Sequence, residues 1–331
     1  MSMANELPEE LVTEVLLCLP VVSLLRFNCV CKSWYALIAH QNFIRKHLLH
    51  NKNNNTLLLL WRNQTTQDDV VSTLSYETLP ASLTQPLPLP FTEVSIFVGS
   101  CDGLVCLRDY DSLNLVIWNP ATKETKVVPK SSLSRFSDDY RIESGIGFGF
   151  DAKTCDYKII NFFSLFDNYE SDFEGNVPCY RLSEAFDFDD DWEGVLSFDM
   201  SGEVFLKTPL PDDVLNGHVR GWRSFFVLNE SIAMALWSSD EEFVEVCCDI
   251  WLLLEVGVKD SWTRLFTVGP VTGTGDLPFW KNDTMFFKTY DRLVVYNPFT
   301  KGRTNLPIRS YSCCSVTYVE TLVSVKGGNE F

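Results

Sequence analysis

Histidine is scarce: four occur among 331 residues, and all but one lie at or before position 50. The chain therefore has little of the imidazole chemistry used by zinc sites and by acid–base pairs. Basic residues are also few, 27 Lys and Arg against 44 Asp and Glu, leaving a formal charge of −17. That balance argues against unaided binding to nucleic acid, and it either favours a basic partner or serves solubility alone. No uncharged apolar run reaches about 18 residues, so no membrane-spanning helix is expected. The opening MSMANELPEE lacks the basic and apolar regions of a signal peptide. The expected address is the cytoplasm, with the nucleus second, and no membrane partner.

Catalytic signatures are missing as well. There is no GxSxG elbow, HExxH helix or GxxxxGK[ST] loop. The GIGFG at 145–149 lacks dinucleotide-binding spacing and reads as strand glycines. The adjacent Asp189 and Asp190 have no apolar surroundings to tune one of them as a general acid. His40, His47 and His50 share a basic helical stretch with Arg45 and Lys46, and are expected to face solvent. No catalytic residue, metal or cofactor is assigned.

What is abundant is apolar and aromatic: 46% hydrophobic residues, including 24 Phe, 11 Tyr and 9 Trp. This suits a strand-rich body with an ample core. The eleven cysteines are scattered and odd in number, so buried thiols are expected rather than a disulfide framework. The side chains of Cys247–Cys248 and Cys313–Cys314 would point to opposite sides of a strand.

The first 50 residues read as helices. Pro8, Glu9 and Glu10 make a good helix opening, because proline tolerates the first turn and acids complement its free N–H groups. Leu11, Val15 and Leu19 then recur at helical spacing, widened by Val12 and Leu16. Pro20 divides this helix from a second, with Leu24, Phe27, Cys31 and Trp34 on one line, and the pattern continues through Leu48. These helices hold more apolar surface than a cap on a sheet needs. A polar link at 51–56 follows, and the period changes. TLLLLWR at 56–62, SIFVGSCDGLVCLRD at 95–109 and NLVIWNPATKETKVVP at 114–129 read as strands, with breaks at Gly99 and Gly103 and an Asn-Pro turn. RLVVYNPFTKGRTNLP at 292–307 repeats the last pattern. Hairpins are expected around Asp151–Cys155 and Met200-Ser201-Gly202, and CCSVTYVETLVSV could close the sheet against an early strand. Repeated four-stranded units around a centre fit these spacings, and a β-sandwich stays open.

Two acidic stretches stand out. Residues 167–193 oppose their many acids with Arg181 alone, and SSDEEFVEVCCD occupies 238–249. Both suit solvated loops. Alternatively they form a cargo-binding rim made of Glu184, Phe186, Asp187, Phe188, Asp189, Asp190, Asp191 and Trp192 with Asp240, Glu241, Glu242 and Glu245, the aromatics anchoring what the charge collects.

LPEELVTEVLLCLPVVSLLRFNCVCKSWYALI closely resembles the F-box, through Leu7-Pro8, Leu19-Pro20, Leu24, Arg26, Phe27, Val30, Cys31, Lys32, Trp34 and Ile38. The resemblance implies a three-helix unit that docks on a Skp-family adaptor, and through it on a cullin and a RING protein. Leu7, Pro8, Leu11, Leu19, Pro20, Leu24, Val30, Cys31 and Trp34 would serve adaptor contact or packing within the unit. The blocks at 99–109, 114–129, 145–160, 249–266 and 292–308 resemble the plant F-box-associated domain in order. Together these imply an α+β chain: an F-box at 1–50, a linker at 51–56 and a mainly antiparallel, propeller-like β domain at 57–331. Such proteins are non-catalytic subunits of E3 ubiquitin ligases. The group most resembled is the S-locus F-box and its relatives, which implies recognition of basic, non-self S-RNases in pollen during self-incompatibility. Another protein or a glycan as cargo, or a homologue that occupies the adaptor without degrading anything, remain open. The resemblance lapses between Ile160 and Val195, where the family pattern is longer by about fifty residues, roughly one blade.

Overall fold

The computed structural model describes residues 8–326 apart from 53–55, 64, 67, 75–85, 91–94, 110–113, 130–139, 168–192, 216–222, 229–230, 240–244, 273–278, 282–283, 289–291 and 311–312. Four helices open the chain: α1 Glu9–Leu17, α2 Val21–Phe27, α3 Lys32–Ala39 and α4 Gln41–Asn51. Pro8 and Pro20 cap α1 and α2 in extended backbone geometry, as a residue without an N–H can. The line from Leu24 to Trp34 is not one helix. Cys29 and Val30 donate to the carbonyls of Arg26 and Phe27, three residues back, and this tightening ends α2 before Cys31 caps α3. His40 makes the next break: its backbone is extended, and its Nδ1 accepts from Asn42 N–H at 3.2 Å to start α4.

Leu16, Leu17, Val21, Leu24, Ile38 and Phe43 form the helical core, with Val12, Leu19, Phe27, Trp34, Leu37 and Ile44 around it. One expectation fails here. His47 is fully buried, its Nε2–H donating to the Leu19 carbonyl at 2.9 Å, because α4 turns it inward against the α1–α2 junction. Burial pushes its proton affinity below the ordinary value, which keeps the ring neutral. The thiols also divide: Cys106 and Cys248 are buried, but Cys18, Cys29, Cys31 and Cys155 are exposed. The apolar neighbours of Cys29 and Cys31 in sequence do not cover them, since both sit in the open link between α2 and α3.

The strands are β1 Thr56–Arg62, β2 Asp69–Leu74, β3 Ser95–Cys101, β4 Leu104–Asp109, β5 Leu115–Asn119 and β6 Glu124–Val128. Next come β7 Tyr140–Asp151, β8 Asp156–Asp167, β9 Gly194–Asp199 and β10 Val204–Pro209, then a single helical turn, α5 Asp212–Leu215. The remainder are β11 Arg223–Leu228, β12 Ser231–Ser239, β13 Glu245–Leu253, β14 Trp262–Thr272, β15 Phe279–Lys281, β16 Thr284–Lys288, β17 Arg292–Asn297, β18 Gly302–Arg309 and β19 Cys313–Tyr318. Three sheets are four-stranded meanders, β3 to β6, β11 to β14 and β15 to β18. Two hairpins, β7–β8 and β9–β10, stand as two-stranded sheets, and β19-β1-β2 forms a three-stranded one in which the last strand pairs with the first.

The chain divides into two compact units. One comprises Met1–Leu60, Asp69–Lys130 and Cys314–Phe331, the other Trp61–Asp68 and Ser131–Cys313. In the first, Leu58, Leu60, Val71, Val105, Leu107, Trp118 and Tyr318 pack β19-β1-β2 on β3 to β6. The four leucines of β1 are all buried, so this strand is covered on both faces and reads as an unbroken apolar run. In the second unit, Ala235, Trp237, Cys248, Ile250, Met285 and Val294 join two meanders face to face. The other face of β11 to β14 meets Leu210 and Val214 through Met234, Trp251 and Trp262. Sheets stacked on both faces are what repeated four-stranded units require.

One hairpin tip recurs four times. Asn119, Asp151, Asp199 and Asn297 each end a strand, and Lys123, Cys155, Glu203 and Lys301, four residues on, take left-handed backbone with φ between 53° and 62°. Asn119 Oδ1 accepts from Ala121 and Thr122 N–H at 2.9 and 3.2 Å, and Asn297 Oδ1 from Phe299 and Thr300 N–H at 3.0 and 2.9 Å. The short polar side chain closes the turn, which is why Asn-Pro recurs in the sequence. Gly99, by contrast, marks a bulge and not a break: β3 runs on, with its register to β4 shifting between Phe97 and Gly99.

Candidate functional site

The helices are apolar on more sides than their core uses. On α1, Leu11 and Val15 lie four residues apart and are 53% and 61% exposed. Val22 and Leu25 on α2, Val30 in the link and Tyr35 on α3 are also exposed. Spacing of i to i+4 and i to i+3 puts the members of each pair on one helix face. Full burial of one such side chain against a partner contributes about 1.5–3 kcal/mol. These exposed apolar side chains are therefore suited to docking another protein.

The positions singled out in the sequence divide between this face and the core. Pro8, Leu11, Pro20, Val30 and Cys31 are exposed. Leu24 is fully buried in the helical core, and Leu19 and Trp34 are half-buried against it, with the Trp34 ring 5.4 Å from that of Phe27. Leu7 lies outside the described residues. Val22, Leu25 and Tyr35 were not singled out, although their signal is present: they are apolar at positions one step off the buried line. Cys31 Sγ lies 3.1 Å from Ser33 Oγ at the start of α3, and this contact with the Trp34 backbone holds the thiol below its ordinary pKa.

Of the proposed acidic rim, Glu184 to Trp192 and Asp240, Glu241 and Glu242 lie outside the described residues, and Glu245 is placed only by its backbone, opening β13 against Thr272. The densest described charge cluster is elsewhere. Asp151, 1% exposed at the β7–β8 tip, accepts from Lys153 N–H, Thr154 Oγ1–H and Ser201 Oγ–H at 2.8, 2.8 and 2.9 Å. Lys158 Nζ bridges it to the β9–β10 tip, 2.8 Å from Asp151 Oδ2, 2.5 Å from Glu203 Oε1 and 3.1 Å from the Met200 carbonyl oxygen. Lys158 holds the Asp151 carboxyl well below the usual carboxylate range. These bonds latch the tips of the two hairpins together. Among the described residues, no three His, Cys, Asp or Glu converge as metal ligands, and no helix is long and apolar enough to cross a membrane.

Comparison with known proteins bears on the helical face. Residues 5–46 match the F-box domain, and residues 78–193 match the F-box associated beta propeller domain. An F-box/kelch-repeat protein of Arabidopsis thaliana is 27% identical over 373 aligned positions, spanning 97% of this chain and 96% of the relative. The alignment needs more positions than the 331 residues of this chain, so the relative carries residues that this one lacks. A putative F-box protein of the same plant is 31% identical over 243 positions, 62% of either chain. The crystal structure of TolB from Acinetobacter baumannii matches 85% of this chain and 73% of that one, with 9% identity and a TM-score of 0.37, a likeness that carries no functional argument. In these two stretches the chain is thus similar to the F-box and to the F-box associated domain, and along nearly its whole length to an Arabidopsis F-box/kelch-repeat protein.

Proposed function

We propose that this F-box chain is the substrate-recognition subunit of a Skp-cullin-F-box E3 ubiquitin ligase, acting in the cytoplasm and nucleus. The observation that carries the reading is the set of exposed apolar side chains Leu11, Val15, Val22, Leu25, Val30 and Tyr35, which lie within the F-box match. A Skp-family adaptor would cover it, attaching the chain to a cullin and its RING protein. The residues 57–331 then form a receptor domain that holds cargo near the charged ubiquitin carrier. The rate gain comes from effective concentration, without catalytic groups of its own.

The cargo is a basic protein. Support comes from the formal charge of −17, which speeds encounter with a cationic surface and disfavours acidic competitors. Within that class, the resemblance to the S-locus F-box group favours a non-self S-RNase, whose ubiquitination would protect pollen during compatible crosses.

The test uses the full chain, purified with a plant Skp adaptor and cullin, beside Leu11→Asp/Val15→Asp. Both side chains already face solvent, so the variant keeps its fold while losing the apolar contact. Adaptor affinity should fall at least about thirtyfold, the scale of a hot-spot pair. A folded wild-type chain that forms no ternary complex would sink the reading. A panel of basic S-RNases then tests the cargo.

A further inference from the structure

After β19 the chain runs on from Val319 to Lys326 without pairing to any strand, yet Thr321 is fully buried and Leu322 and Val325 nearly so. Buried backbone must find partners, and here two separate elements supply them. On one side stands the β3 to β6 sheet. Asn119 Nδ2–H donates to the carbonyls of Thr321 and Val323 at 3.1 and 2.8 Å, and Val325 N–H donates to Glu124 Oε2 at 3.1 Å. The β3–β4 turn admits the segment only because residue 103 is glycine: a Cβ there would lie 2.2 Å from the Val319 carbonyl oxygen and 2.6 Å from Thr321 Cγ2. On the other side stand the helices. Leu322 inserts into the core of Leu16, Leu17, Val21, Leu24, Ile38 and Phe43. Glu320 Oε2 accepts from Val21 N–H at 3.3 Å, at the start of a helix whose own cap, Pro20, offers no side-chain acceptor.

We propose that Glu320–Val325 is a positioning strap, which fixes the adaptor-binding helices on the β3 to β6 sheet and so sets where the receptor domain holds cargo relative to the adaptor. The functional half of this inference rests on the ligase reading; the mechanical half does not. Glu320 and Leu322 grip the helices, and Asn119 grips the strap from the sheet. None of the three lies on the exposed helical face, so adaptor affinity and cargo reach become separable properties.

The experiment places a specific protease site at residues 53–55 of the full chain, between α4 and β1. After cleavage, the strap, together with Ala121 of the β5–β6 turn, which also packs on the helical core, should keep the helical fragment with the β domain on gel filtration. Glu320→Gln/Leu322→Ser, and separately Asn119→Ser at the other end of the strap, should weaken retention at least tenfold. A second measurement keeps folding out of the result: in the uncut chain, energy transfer between dyes at the exposed positions His50 and Lys126 should give a narrow distribution that broadens in both variants, with adaptor affinity within twofold of the parent. Release of the parent fragment, or variants retained as tightly as the parent, would overturn the strap. A parent chain whose helical fragment is retained after cleavage, yet which fails to bind adaptor when uncut, would instead overturn the ligase reading and leave the strap standing.

Discussion

At the scale of the residue, Asn119 and Asn297 occupy the same place in two copies of one turn and differ in how much depends on them. Both side-chain oxygens cap their own hairpin. Asn119 also turns its amide N–H groups to Thr321 and Val323 and is fully buried, whereas the turn of Asn297 lies open, with Phe299 exposed beside it. At about 1 kcal/mol net for each hydrogen bond, Asn297→Ala should cost about 1–2 kcal/mol and Asn119→Ala about 3–4, since the latter also strands two carbonyls. Urea midpoints of the two variants check this. Equal losses would show that the strap bonds add nothing.

At the scale of the element, the β7–β8 and β9–β10 hairpins stand as separate two-stranded sheets, and the Asp151–Lys158 latch joins their tips. Lys158 lowers the folded-state pKa of Asp151, so the unfolded chain binds its proton first as pH falls. The stabilisation is whole above the ordinary Asp pKa of about 4 and is lost as pH drops further through the folded value. Asp151→Asn should therefore melt a few degrees lower than the parent at pH 7, with the gap closing below about pH 4. Calorimetry at several pH values reads this directly, and a constant gap would show that the ion pair is not the cause. The hairpin tips themselves were legible in the sequence, because an Asx side chain closes its turn with bonds two and three residues away. His47 was not: its neighbours Arg45 and Lys46 suggest a wet face, and only the packing of α4 on the α1–α2 junction buries it. The apolar surplus of the helices was legible in the sequence, but which residues served the core depended on where α2 stopped, and Leu24 falls inside while Leu25 falls outside. Nothing local marks Leu322 as a member of the helical core, because its partners lie some three hundred residues earlier.

At the scale of the whole molecule, two kinds of recognition should separate by their response to salt. The exposed apolar side chains of the helices, proposed above to meet the adaptor, are uncharged, and their burial does not depend on the ionic atmosphere. Capture of the basic cargo proposed above would draw on the net charge of −17 acting at a distance. The screening length shrinks from about 10 Å at 0.1 M ionic strength to about 3 Å at 1 M. Raising salt across that range should thus leave adaptor affinity within about threefold, while the association rate of a basic S-RNase falls by about tenfold or more. Stopped-flow association at several salt concentrations, with both partners measured on the same preparation, gives the two slopes. A cargo rate as flat as the adaptor's would mean that the receptor domain reads shape and apolar contact, and the acidic surplus would then serve solubility alone.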